Sequence, residues 1–180
     1  DRDHYDRVIK PLFKKAFDID VRPHDKASNS VYGFYVCKKI IIKYFNEVLG
    51  FPFGSKTYTV KVPKIILNSN NPEIWAAFVR GFCDADGCLN FDKRHASSKE
   101  ILQTIHTYPR IMIKCVSHQI IREISSMLSK IGIKHFLRVS KATRKNETDS
   151  LHLQVSGKER LNSWIEKIGF NNPVQQTRYE

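Results

Sequence analysis

Two stretches of this chain are one pattern written twice. Residues 31–51 read VYGFYVCKKIIIKYFNEVLGF, and residues 151–170 read LHLQVSGKERLNSWIEKIGF. At a constant offset Val36 falls on Val155, Lys39 on Lys158, Phe45 on Trp164, Glu47 on Glu166 and Gly50-Phe51 on Gly169-Phe170. Upstream, Ile9, Leu12 and Phe13 match Ile124, Met127 and Leu128 at a slightly shorter offset, which fits a longer hairpin loop at 142–148 in the second copy. An internal repeat constrains the fold before any local detail, because each copy must make the same supersecondary unit and bury its apolar face against a neighbour.

Each copy reads helix, strand, strand, helix. In the first, 5–17 has helical apolar spacing, 18–24 and 30–37 read as strands, and 38–49 is helical, with Gly50 as its stop. In the second, 118–131 is helical, 133–140 and 150–156 are strands, and 157–168 is a helix stopped by Gly169. Leu151-His152-Leu153-Gln154-Val155 alternates apolar and polar, as a strand does when its sheet covers a core on one side only. Arg110-Ile111-Met112-Ile113-Lys114 alternates too, with both cations on one face. Between the copies, Asn71-Pro72-Glu73 opens a helix that runs to about Cys83. Strands follow at 88–93 and 108–116 around a Lys-, Ser- and His-rich loop. The complete unit is therefore helix, two strands, helix, two strands, helix. That makes the chain α+β, with 1–70 a first, N-terminally incomplete αββα repeat and 71–180 a second repeat.

Thirty Lys and Arg against eighteen Asp and Glu give a net charge of +12, which suits a polyanionic partner through counterion release. Charge alone leaves DNA, RNA and an acidic membrane surface open. There is no apolar run long enough to cross a membrane and no signal peptide. The cysteines Cys37, Cys83, Cys88 and Cys115 form no C-x-x-C, so buried free thiols in a reducing, intracellular compartment are expected.

The segment Val79-Arg80-Gly81-Phe82-Cys83-Asp84-Ala85-Asp86-Gly87 carries the chemistry. Ala77 and Gly81, four apart on one helix face, leave a flat strip where a second helix backbone can approach. Two carboxylates then stand at the helix's C-terminal end, against the negative end of its dipole. A hard cation such as Mg²⁺ offsets that cost; the bland alternative is a turn in which both Asp bond backbone donors. A calcium loop is excluded, because the twelfth position from Asp84 is His95 rather than Glu. The seven histidines hold no H-x-x-x-H pair.

This segment resembles the signature of the LAGLIDADG homing endonucleases, departing from it at Arg80, where the name-giving motif has Ala. The resemblance implies a pseudo-twofold pair of antiparallel, saddle-shaped sheets packed by helices. It also implies site-specific hydrolysis of double-stranded DNA that leaves short 3′ overhangs. Two signature helices pack side by side in the family, each placing one acid at the base of the DNA groove. The implied metal ligand and catalytic acid is Asp86, whereas Asp84 would serve local turn geometry. The implied cofactor is Mg²⁺ or Mn²⁺, with Ca²⁺ a non-cleaving substitute. Gly54-Ser55-Lys56-Thr57-Tyr58-Thr59-Val60-Lys61-Val62-Pro63 resembles the lysine-then-proline segment of intein-type members. Lys61 is thus a candidate to stabilise charge on the phosphate, with Lys56 as alternative. The equivalent tail of the second copy offers Arg178 or Gln175.

Because only one motif is present, repeat logic implies about 40 further residues upstream carrying a second acid, in keeping with a chain that begins at Asp1 rather than Met. Otherwise a second chain supplies that helix. For DNA contact, Arg22, His24, Lys26, Asn90, Lys93, Arg110, Lys114, Arg138, His152 and Gln154 fall on polar strand faces suited to the major groove. Lys141, Arg144 and Lys145 in the hairpin loop suit phosphate. The rival readings are a non-cutting LAGLIDADG protein that helps an intron RNA fold and a DNA-binding regulator. Self-splicing within these residues is disfavoured, since there is neither an N-terminal Cys or Ser nor a terminal His-Asn pair.

Overall fold

The computed structural model describes residues 1–25, 31–55, 57–94 and 105–179, with the side chains of 93, 94 and 105–107 left out. Lys26 and Lys56 lie outside the described residues, as does the side chain of Lys93. Gly50 and Gly169, equated by the duplication, both end their helices at φ 71°, a left-handed conformation that glycine adopts without Cβ strain.

The first copy opens with a continuous helix, α1 (residues 2–17), built from Arg2–His4, a π-helical stretch Tyr5–Ile9 and Lys10–Phe17. Strands β1 (His24–Asp25) and β2 (Tyr32–Gly33) pair antiparallel, and α2 (residues 39–48) follows as Lys39–Lys43 and the π-helical Tyr44–Val48. The strands expected over 18–24 and 30–37 are thus only two residues each. Phe34 of the second segment instead joins an aromatic cluster with the helices, with Phe13 at 5.2 Å from Phe34 and Phe17 at 5.9 Å from Phe45 between ring centroids. Among the described residues before 60, Val21 and Ile41 are the buried hydrophobics, while Ile40 and Phe53 are more than 70% exposed. Helix α1 is the support of the two strands: Arg2 bonds Asp25 at 2.8 Å, Tyr32 donates to Asp6 at 2.9 Å, and the Tyr5 ring stands 6.0 Å from that of Tyr32.

The second copy is complete. After α3 (Lys64–Leu67) come α4 (Pro72–Asp86), β3 (Gly87–Arg94), β4 (Ile105–Cys115), α5 (His118–Ile131), β5 (Phe136–Ser140), β6 (Ser150–Ser156), α6 (Lys158–Lys167) and α7 (Pro173–Tyr179). The sheet has the antiparallel order β3-β4-β6-β5. Its inner face (Leu89, Ile111, Ile113, Leu151, Leu153, Val155) packs on α4, α5 and α6 through Val79, Ile121, Ile124, Leu128 and Trp164. The strict alternation in β4 and β6 produces this one-sided burial.

The edge strand β3 would expose unpaired backbone groups. Gln175 of α7 closes that edge: its carbonyl oxygen accepts from Leu89 N–H at 2.8 Å, and its amide donates to Gly87 C=O at 3.2 Å. The sequence offered Gln175 as a catalytic alternative; it is buried and spent on the backbone. The thiols are free, but only Cys83 is buried, and Cys37 is exposed because the sheet that would cover it is two residues long.

Gly87 joins α4 to β3 with no intervening loop. A Cβ there would stand 2.6 Å from Cys83 Sγ and 2.7 Å from the Cys83 carbonyl oxygen. Gly87→Ala is therefore predicted to destabilise the chain by about 1–3 kcal/mol, the usual range for forcing an extra carbon into a packed site. Urea unfolding of the two proteins measures it, and an unchanged midpoint would refute the close approach.

Candidate functional site

Helix α4 is started by Asn71, whose side-chain oxygen accepts from Glu73 N–H at 2.9 Å, with Pro72 in the first turn. One face of the helix buries Trp75, Ala76, Val79, Cys83 and Asp84. The other presents Ile74, Ala77, Gly81, Ala85 and Asp86 to solvent, and around the Cβ position of Gly81 there is nothing within 4 Å. The strip that the Ala77 and Gly81 spacing predicted is bare and open to a second helix. Arg80, the departure from the signature, has a structural use: its guanidinium donates to the Ile168 carbonyl at 2.9 Å, satisfying the C-terminal end of α6.

The two aspartates at the end of α4 have opposite surroundings. Asp84 is buried; its carboxylate accepts from Asn171 N–H at 2.9 Å, and its own carbonyl accepts from the Asn172 amide at 2.9 Å. Burial pushes its pKa up, opposed by those backbone hydrogen bonds and by the charges of His4 and Arg80. One Asp84 oxygen and His4 Nδ1 are buried without partners, and burial likewise lowers the His4 pKa. Asp84 thus ties the end of α4 to the turn after α6. Asp86 is exposed and, among the described residues, has no hydrogen bond or ion pair. An unpaired carboxylate at the negative end of a helix suits a divalent cation. No three metal-ligating side chains cluster among the described residues.

Two cations lie toward that end of α4. The segment carrying Lys61 is pinned on both sides: Ser117 Oγ donates to the Val60 carbonyl at 2.6 Å, and Val62 N–H donates to Glu123 at 2.7 Å. Since Gly87 pairs with Ile113, Ser117 follows just beyond the sheet end at which α4 stops, and exposed Lys61 is held on that side. Arg178 donates to Cys88 Sγ at 2.8 Å and to Leu89 C=O at 3.2 Å, two and three residues past Asp86.

The register places six DNA-contact candidates on the sheet face opposite the core. Asn90 pairs with Arg110, Lys114 with His152, His152 with Arg138, and Gln154 lies between Met112 and Phe136. Arg110 is bridged to Asp92 at 2.8 Å. Lys141 is paired with Asp149 at 2.7 Å and Arg144 with Glu147 at 3.7 Å, exposed contacts that hold weakly against a competing phosphate; Lys145 is exposed. Lys114, Ser140, Lys141, Ser150 and His152 line one open cleft of about 430 Å³. Arg22 and His24 lie apart from this sheet, exposed at the two-residue hairpin, with the His24 ring bonded to the Arg22 carbonyl at 3.1 Å. Phe136 falls on the same outer face, in phase with Arg138 and Ser140. Sequence reasoning missed the Arg80 and Gln175 contacts, for which the sequence carries no signal.

A helix ending in an exposed carboxylate above a one-sided antiparallel sheet is the homing-endonuclease fold: the LAGLIDADG homing endonuclease I-LtrWI, solved bound to target DNA, superposes with a TM-score of 0.55 over 98% of this chain and 74% of that one, at 14% identity. The LAGLIDADG-like domain family matches residues 73–169, and the chain belongs to it. The homing endonuclease I-CvuI, solved with its target in the presence of Ca, matches at TM-score 0.43 and 22% identity over 59% of this chain and 63% of that one. The replicative DNA helicase DnaB of Rhodothermus marinus is 29% identical over 117 residues, 65% of this chain but 11% of the helicase. The chain therefore spans about a tenth of that curated relative. No helix among the described residues is long and apolar enough to cross a membrane.

Burial lowers the His152 pKa below the ordinary imidazole value of about 6.5, helped by the charges of Lys114 and Arg138. The ring is then neutral at pH 7 in the free protein, and a polyanion on this face favours its charged form. Affinity for a polyanion is predicted to rise as pH falls from neutrality to below the ordinary imidazole range, and His152→Gln to remove that increment, as measured by duplex titrations at constant ionic strength. Gly81→Ala is predicted to leave the isolated chain as stable or about 0.5–1 kcal/mol more so, since alanine is the better helix former. Gly81→Leu, in contrast, would block assembly of a second helix on the strip. Unfolding midpoints and assembly of the two-helix form check the pair.

Proposed function

We infer that this chain is the greater part of a site-specific homing endonuclease, which hydrolyses phosphodiester bonds in both strands of duplex DNA and leaves short 3′ overhangs. The observation that carries this is Asp86: exposed, unpaired, at the end of α4 and beside the bare Ala77 and Gly81 strip. Residues 1–70 and 71–180 are two repeats of one unit, and the second signature helix comes from another segment or a second chain. Such a helix would also cover the open aromatic cluster of the first repeat. A 117-residue match inside a far longer helicase is what an endonuclease carried within a host protein produces, and this favours an intein-type origin. A DNA substrate places the protein where DNA is, in cytoplasm, nucleoid or an organelle.

Asp86 with its counterpart acid would hold Mg²⁺ or Mn²⁺; the bound ions supply an activated water and a stabilised leaving oxygen for in-line attack. Lys61 and Arg178, held on the side where α4 ends, would stabilise charge developing on the phosphate. Asn90, Arg110, Lys114, Arg138, His152 and Gln154 would contact the major groove, while Lys141, Arg144 and Lys145 would contact phosphates. Intact Asp86 favours cutting over a maturase or regulator role.

The test is a cleavage selection from a random duplex library with Mg²⁺, followed by sequencing of the cut ends. One long site with 3′ overhangs is expected. Asp86→Asn is predicted to lower cleavage by about 10²–10³-fold, the scale of removing one group that stabilises transition-state charge, with binding of the recovered site retained. Binding without cutting, by the chain alone and with a second signature helix supplied, would overturn the endonuclease reading and favour the maturase or regulator.

A further inference from the structure

One cross-strand row on the outer face of the sheet breaks its polar pattern. The register sets Cys88, Met112, Gln154 and Phe136 side by side. Phe136 is 54% exposed on the edge strand β5, and the Arg160 guanidinium stands 4.8 Å from its ring centroid. That contact is a cation–π pair that orients the ring. The rows on either side carry Lys114, His152 and Arg138, and Asn90 and Arg110. An aromatic ring left in water forfeits its burial energy, and its cationic surroundings disfavour a lipid chain or an ordinary apolar protein surface as occupant. The partner must be anionic overall yet offer a small apolar group. Duplex DNA presents that combination in the major groove, where the thymine C5-methyl projects among the base edges between two phosphate backbones. Gln154 fits the same reading: its Nε2 donates one hydrogen to Ser156 Oγ at 2.6 Å. The second hydrogen and the carbonyl oxygen remain for N7 and N6 of adenine.

We propose that Phe136, with Met112 on the far side of Gln154 in the same row, is a specificity-determining contact for thymine methyl groups in the DNA target, and that Gln154 between them faces the adenine edge. The proposal rests on the endonuclease reading and adds which bases this part of the sheet selects. It requires A·T pairs in the target opposite β4–β6–β5, with thymine preferred over an unmethylated pyrimidine.

Deoxyuridine, which pairs like thymine but lacks the methyl, is the probe. The site recovered by selection is synthesised as a series of duplexes with each thymine replaced in turn by deoxyuridine, and the affinity of the 180-residue chain is measured for each. At one or two positions the replacement should weaken the native chain about fourfold, the worth of one buried methyl-sized group. Phe136→Ala should bind the thymine and deoxyuridine duplexes equally there, whereas Arg138→Ala keeps the discrimination. Phe136→Ser is the second variant, and unfolding midpoints near that of the native chain show that both keep the fold. A penalty that is absent at every thymine, or that persists undiminished in both Phe136 variants, overturns the proposal while leaving the endonuclease reading intact. Recovery of no preferred duplex at all sinks the endonuclease reading, and this contact with it.

Discussion

The structure hangs on the passage from α4 into β3 at Gly87. No loop separates helix from strand there, and the space a side chain would need is already filled by Cys83. Three ties hold the junction from outside: Asn171 and Asn172 on Asp84, and the Gln175 amide on the Gly87 carbonyl. The consequence is positional. The last helical residue, Asp86, is fixed between a buried helix face and the first pair of the sheet, with its carboxylate in solvent. A loop at this point would let that carboxylate wander.

From the junction outward the sheet divides the molecule by polarity. Its inner face is aliphatic and closes on three helices, while its outer face carries the cations. The same alternation in β4 and β6 does both jobs, because successive side chains point to opposite faces. The charges are prepared unevenly. Arg110, Lys141 and Arg144 already hold carboxylates, so a polyanion must exchange those partners. Lys114 and Arg138 instead stand on either side of His152 and disfavour its charge, a repulsion that an approaching phosphate would relieve.

The second repeat was largely legible. Helical spacing marked α5 to the residue, the alternation in 150–156 marked β6, and the two equivalent glycines marked two helix ends. Those signals are local, and the complete unit has the layers to honour them. The first repeat was misread in its strands: 18–24 and 30–37 have strand-like composition, but only two residues of each pair, and Phe34 packs with the rings of α1 instead. Which of Asp84 and Asp86 is free was legible only through the family resemblance, since their spacing leaves both at the helix end. Burial and the Asn171 and Asn172 contacts separate them.

By itself the sequence determined the order of elements in the later half of the chain, the basic surface and the placing of two acids and a glycine at the end of a helix. These follow from spacing along the chain, because helix and strand periods decide which residues share a face. Tertiary structure decided what spacing cannot carry: that Gln175, far along the chain, completes the edge of β3; that Arg80 serves a carbonyl of α6; and that Ala77 and Gly81 face open solvent. Each depends on where a distant segment comes to lie, and that is settled by packing around Trp164 and the sheet rather than by any local preference.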